Sequence, residues 1–477
     1  MFRLTTDRQL PGDVTRVVER CQQSSREQSA GGADSFRSDS SIWITRAPGR
    51  MDVMGGIADY SGSLVLQMPI REAAVVALQR EPSSRQIRLQ SPGAVDRSAA
   101  FAFQLDDLMS GDAPVDYDTA RRFFGAESQH SWSAYLGGAF VVLMRECGIH
   151  FDVGCHILLD SQVPEGKGVS SSAAIEVATM MAICAAYDIE LAPRELAILC
   201  QKVENLVVGA PCGIMDQLAC ACGEKDRLLA ILCQPAQLLG TICLPDDLTV
   251  WGIDSGIRHA VSGADYGSVR TGAFMGLQIL RQVANVQAGP QDRWAGYLAN
   301  VSPHEWMQWA SQVPAVMKGD AFAKTYGGIE DTVTQVEAQR DYAVLAPTAH
   351  PIEEHQRHRT FAELLLTRET DRRNELLGEL MFQTHASYSL CGLGSDGTDE
   401  LAAAVDQPES RAAGLFGAKI TGGGSGGTVA ILGASAAEGY VEQIAATYAA
   451  GHELSPYIFT GSSPGAAQFG VVRLDPN

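Results

Sequence analysis

Between residues 154 and 186 the chain passes from an alternating strand, GCHILLD, through two spaced glycines and three consecutive serines into a long apolar helical stretch. No other segment constrains the fold as much. Its centre is VPEGKGVSSSAA, from Val163 to Ala174. A helix leaves its first N–H groups without intrahelical partners and carries partial positive charge at that end, so a glycine-lined strand-to-helix turn is an anion site. Gly166 and Gly168 let the backbone approach a ligand closely. The hydroxyls of Ser170, Ser171 and Ser172 add donors and a candidate ligand for Mg²⁺. The plainer alternative is a serine N-cap on a tight turn. GxxxxGK[ST] occurs nowhere in the chain, so the loop is not of the Walker type. Behind it, Ala173, Val177, Met181 and Cys184 recur at helical spacing.

Three further constellations bear chemistry. Pro193 opens a helix whose apolar face carries Leu196, Leu199, Cys200, Val203 and Val207, and Glu204 falls on that stripe. A buried carboxylate needs a cation or strong donors. A magnesium ion shared with a serine would serve, and so would a rim position reaching solvent or Arg194. Twelve residues on, Asp216 sits among Ile214, Met215 and Leu218, either capping the next helix or acting as a partly desolvated general base. The segment KITGGGSGG, Lys419 to Gly427, runs straight into the apolar strand TVAIL, which suits a phosphate- or substrate-facing loop better than a linker.

The rest of the chain frames these loops. At roughly 150 residues per domain, 477 residues suggest two to three domains. Residues 1–40 are expected as an extension, with a flexible linker from Gln22 to Ser41 after a short first helix; 41–247 as a first domain; and 248–477 as a second, carrying an insert at about 285–350. Short β-branched runs such as SIWIT and LVLQMPI give an α/β texture, and there is no internal repeat. With 36 Lys and Arg against 56 Asp and Glu, the net charge of −20 excludes a nucleic-acid partner, which would need a basic face. The first residues contain no apolar run, and the most apolar stretch, Ala173 to Ala186, falls short of the ~20 residues of a membrane span, so no membrane partner is expected. Eleven scattered cysteines suit reduced thiols in the cytoplasm, with Cys220 and Cys222 as core side chains. His355 and His358, in EEHQRH, read as part of a solvated charged helix face. Oligomeric state is expected to be monomer or weak dimer.

Together these residues resemble the GHMP kinases. The family's phosphate loop, P-x-G-x-G-L-S-S-S-A, is matched from Pro164 to Ala173 with Val169 for the leucine, and its TGGGxGG turn is Thr421 to Gly427. The resemblance is closest to galactokinases, whose first motif is echoed by GRMDVMGGIADYSGS (Gly49 to Ser63) and whose E-x11-D stretch is Glu204 to Asp216. DSGIRHAVSGADY (Asp254 to Tyr266) resembles a sugar-contacting segment, and WSAY, from Trp132, a segment near the adenine pocket. The resemblance implies an α+β, two-domain GHMP kinase fold, its N-terminal half like a ribosomal-protein domain and its C-terminal half ferredoxin-like, with the active site in the cleft between them. It further implies an ATP-dependent sugar-1-kinase. Asp216 would accept or orient the anomeric proton, and Arg50 would stabilise that oxygen and the transferring group. Asp59, Gly213 and Tyr266 would form the sugar pocket with Gly56 and Ile57. Gly166, Gly168, Ser170, Ser171, Ser172, Gly423, Gly424 and Trp132 would hold ATP, and Ser171 or Ser172 with Glu204 would hold Mg²⁺.

One departure bears on substrate. Galactokinases carry Glu-His where this chain has Gly56 and Ile57, and in the family those side chains bind the hydroxymethyl end of galactose. Without them a galactose O6 is buried unpartnered, at a cost of roughly 1–3 kcal/mol, about 5- to 150-fold. L-Arabinopyranose shares the stereochemistry and lacks that carbon. MDVMGGIADYSGSLVLQMPIREA and GSSPGA (Gly461 to Ala466) are also similar to plant L-arabinokinases, whose additional N-terminal glycosyltransferase-like domain is not expected in this chain. The expected reaction is therefore L-arabinose to L-arabinose 1-phosphate, ahead of galactose or another aldose, and ahead of a non-catalytic sugar sensor.

Overall fold

The computed structural model describes residues 2–6, 8–28, 36–93, 98–257, 264–367, 371–452 and 454–476. Two antiparallel-dominated sheets organise it. The first has nine strands. Its spine is the 18-residue strand Leu64–Glu81, paired along one edge with Ile42–Met54 and along the other with Gly154–Ser161 and, at its beginning, with Arg227–Leu232. Gln86–Gln90, beside Gly154–Ser161, makes the one parallel pairing among the described residues. The spine is buried on both faces nearly throughout, so its apolar residues come in runs, Leu64–Leu66 and Ala73–Leu78, rather than in alternation, and buried Gln67, Glu72 and Gln79 interrupt them. Helices Ser133–Cys147, Ser171–Ala186, Pro193–Lys202 and Met215–Cys222 join the largest apolar cluster of the molecule against this sheet. Helix Gly12–Gln28 packs Val14, Val17, Val18 and Cys21 against Ile42, Ile44, Val75 and Ala77.

The second sheet runs Leu415–Ile420, Thr428–Ala434, Leu248–Asp254, Ile458–Phe459, and packs on helices Asp396–Val405 and Glu438–His452. Among the described residues no helix is long and apolar enough to cross a membrane.

Several expectations are modified. The first helix does not stop before Gln22 but continues to Gln28, because its apolar face docks on the sheet; of the expected linker, residues 29–35 lie outside the described residues. Nor are the first 40 residues a free extension, since Phe2–Leu4 pairs with the chain's last strand, Val471–Pro476, which itself pairs with Ile42–Met54. The insert has a core of its own, in which Trp294, Leu298, Trp306, Phe322 and Tyr342 meet Met275 and Ile279 of helix Ala264–Val283. The solvated reading of EEHQRH is wrong for His358, which is fully buried. His358 Nδ1 donates to the Leu64 carbonyl (2.6 Å) and its Nε2 meets Glu354 (2.8 Å), while His355 Nδ1 accepts from Leu64 N–H (3.0 Å). Polar groups at i and i+4 read as a wet face; here they satisfy each other and the first residues of a strand.

Candidate active site

A cleft is lined by Arg50, Gly56, Ile57, Asp59, Gly166, Gly168, Ser170 to Ser172, Glu204, Gly213, Asp216, Tyr266, Gly422 and Gly423, with Pro211, Cys212 and Met215. The motifs singled out along the sequence thus converge on one place, contributed by both sheets.

The phosphate loop is built by backbone geometry. Gly166 and Gly168 both have φ of +69°, and Ser170 itself is left-handed at φ 61°. Helix Ser171–Ala186 begins without a side-chain cap, so its first N–H groups stay available to a ligand, and the Ser170 hydroxyl is buried with no partner. The glycine-rich turn packs directly on this loop. Thr421 Oγ1 donates to the Gly168 carbonyl (3.0 Å), Thr428 Oγ1 to the Lys167 carbonyl (2.8 Å), and Lys167 pairs with Asp254 (2.8 Å). A Cβ at Gly422 would stand 2.9 Å from the Gly168 carbonyl oxygen, which explains the glycine. Gly424 faces away from the cleft toward Leu393. Trp132 is not brought to the lining either: it is buried in the first sheet's core, its indole Nε1 unpartnered. Of DSGIRHAVSGADY, residues 258–263 lie outside the described residues; Tyr266 lines the cleft.

Asp216, in the first turn of Met215–Cys222, does not cap that helix but binds Arg50, whose Nε and Nη2 both donate to Oδ1 (3.0 and 2.7 Å). Arg50 Nη1 donates to the Gly168 carbonyl (2.7 Å), tying this pair to the phosphate loop. Burial works against the Arg50 charge, but Asp216 and Asp52 outweigh it and its pKa is raised. Asp52 in turn pairs with Lys419 at 2.8 Å, both fully buried. Asp59 and Glu204 are each pushed up to about 7: Asp59 by burial and then by the charge of Asp216, Glu204 by burial, opposed by its Ser172 hydrogen bond and reinforced by Asp216. Glu204 stands in a π-helical turn, Val203–Val208, not on a regular helix as expected; Gly209 N–H reaches back to its carbonyl. It is buried, away from Arg194, and Gln217 donates to it (2.6 Å). Gly213 is required because a Cβ there would fall 1.7 Å from Asp59 Oδ2.

Sequence reasoning missed Arg270. Buried behind Cys212 and Tyr60, it grips Asp331 with two 2.8 Å bonds and donates to the Cys212 carbonyl (3.2 Å), its guanidinium 5.3 Å from the Tyr60 ring centre. Nothing in its local sequence marks it; only its position one helical turn after Tyr266 could have.

The chain matches the model of the GHMP kinases N terminal domain over residues 134–224 and the galactokinase galactose-binding signature over 33–80. It is 44% identical to L-arabinokinase of Arabidopsis thaliana over 94% of this chain and 48% of that protein, so it spans about half the plant protein's length. To galactokinase of Chloroflexus aggregans it is 29% identical, over 88% of this chain and 92% of that one. Among solved structures, Lactococcus lactis galactokinase complexed with galactose superposes with a TM-score of 0.71 at 19% identity, covering 94% of this chain and 98% of that one. A mevalonate kinase superposes at 0.52 and 15% identity, covering 91% and 99%.

Proposed function

We propose that this chain is a GHMP kinase, an ATP-dependent aldose-1-kinase whose substrate is L-arabinose; the two matching family models and the similarity to L-arabinokinase support the reading. The observation that carries the reaction class is the Arg50–Asp216 pair, held at the seam between the phosphate loop and the sugar loop. Phosphoryl transfer needs positioning and charge neutralisation more than covalent chemistry. Both guanidinium bonds go to Oδ1 of Asp216, so Oδ2 is the oxygen to accept the anomeric proton. Arg50 keeps its charge and faces the oxygen that becomes nucleophilic. Asp59 accepts from sugar hydroxyls, and Tyr266 closes the pocket. The uncapped N–H groups of the serine helix bind the phosphates of ATP.

The donor set also fits a hard divalent cation. Glu204 is a buried carboxylate with hydroxyl neighbours and no cationic partner among the described residues. No group of three His, Cys, Asp or Glu among the described residues is arranged to hold a metal ion by itself, so phosphate oxygens and water would complete the shell. Glu204 with Ser171 or Ser172 would hold Mg²⁺, which when bound neutralises phosphate charge. The cysteines are unpaired, which suits the reducing cytoplasm.

For the substrate, the supporting feature is the pair Gly56 and Ile57, which offers the cleft no side-chain donor or acceptor. ADP release across a panel of aldoses, with NMR of the product anomer, tests this. L-Arabinose should exceed D-galactose in kcat/KM by about 5- to 150-fold. Equal turnover would overturn the reading of Gly56 and Ile57, and an ATP-binding protein that turns over no sugar would be a sensor instead.

A further inference from the structure

Behind the sugar loop stands a side chain that the reaction above does not use. Tyr388, on helix Asp371–Leu390, is fully buried. Its hydroxyl accepts from Ile57 N–H (2.8 Å) and donates to the Gly422 carbonyl (2.7 Å). One oxygen therefore joins the sugar loop, Gly56–Ser61, to the glycine-rich turn. A Cβ at Gly56 would lie 1.4 Å from that oxygen and 2.4 Å from Cζ. The ring cannot retreat. The His350 ring packs edge-on at 5.2 Å, Lys419 Nζ sits 5.8 Å from the ring centre and is itself fixed by Asp52, and Gly424 closes the remaining side.

We infer that Tyr388 is a specificity-determining residue: it occupies the volume that any side chain at position 56 needs, and so keeps the sugar pocket free of a polar arm there. A carboxylate or amide at 56 could otherwise reach a hydroxyl on an exocyclic carbon. With Tyr388 in place the pocket wall is glycine backbone and the apolar Ile57, whose N–H is taken by the tyrosine rather than by sugar. A pyranose without the exocyclic carbon loses nothing at such a wall. The substrate half of this inference rests on the aldose-1-kinase reading; the steric half does not.

Two measurements separate them. The first is a melting-temperature cycle on the full chain with Gly56→Ala, Tyr388→Leu and the double variant. Leucine keeps the core filled but ends short of the hydroxyl. The strain of a non-glycine residue at φ +64° is common to both backgrounds and cancels. Gly56→Ala should lower the melting temperature much more with Tyr388 present than in the Tyr388→Leu background. Additive losses would overturn the steric claim, whatever sugar the protein uses. The second is the ratio of kcat/KM for D-galactose over L-arabinose, read for Gly56→Glu combined with Tyr388→Leu, for Tyr388→Leu alone and for the parent. The combined variant should raise that ratio by about tenfold or more over both. A folded combined variant with the parent's ratio would overturn the specificity role, and a parent that phosphorylates no aldose would instead overturn the kinase reading while leaving the melting cycle decisive.

Discussion

Asp216 and Arg50 meet through one carboxylate oxygen, and the other takes no bond from the guanidinium. Asp216→Asn keeps the shape and removes the proposed base, so kcat should fall by roughly 10²–10⁴ with the sugar KM changed far less; unchanged turnover in the ADP assay would remove Asp216 from that role. Asp59 and Glu204 give a pH signature. Both sit at about 7 in the folded chain, against values near 4 expected for exposed carboxyls. Between these limits the folded chain binds more protons than the unfolded chain, so their contribution to stability is present at low pH and is lost as pH rises through the window. Melting of the ligand-free protein from pH 5 to 8 should therefore fall more steeply for the parent than for Asp59→Asn or Glu204→Gln. Parallel curves would contradict the assignment. Glu204 and Asp216 were legible as candidates because a carboxylate on an apolar stripe is costly without a purpose. Tyr388 was not legible: a tyrosine in an ordinary helix gains its role only from two loops that tertiary packing brings to its hydroxyl.

At the scale of elements, the phosphate loop, the sugar loop and the TGGGSGG turn were readable because each depends on backbone that only glycine or a helix terminus provides. The insert was not, since its apolar residues are spaced for a small local core and bear no motif. Its connection to the cleft is Asp331, which holds Arg270 behind Cys212 in a buried bidentate pair. Arg270 in turn supports the Cys212 carbonyl, next to the Gly213 that admits the Asp59 side chain. Asp331→Asn should raise the sugar KM roughly tenfold while leaving the ATP KM within about twofold. Equal rises in both would mean that the insert acts on stability and not on the sugar pocket. The π-helical turn at Glu204 is a second element hidden from pattern reading, because the apolar spacing of Leu199, Val203 and Val207 fits a regular helix equally well.

At the scale of the whole molecule, the formal charge of −20 is compatible with the proposed polyphosphate site, because backbone amides and a few buried cations would do the binding. The two sheets meet at Lys167–Asp254, Thr421–Gly168 and Thr428–Lys167 beside the cleft and, strand to strand, at the buried Asp52–Lys419 pair, so the cleft lies on the seam between the halves. The first sheet has a further property. Its strand Val471–Pro476 lies between Phe2–Leu4 and Ile42–Met54. On the ribosome, the edge of Ile42–Met54 at residues 42–45 therefore waits for its partner until everything between residues 45 and 471 has been made. An unpaired edge strand is a template for wrong pairing. While that stretch is made, one side of the sheet at Ile42–Met54 stays open, and it closes only when Val471–Pro476 has emerged.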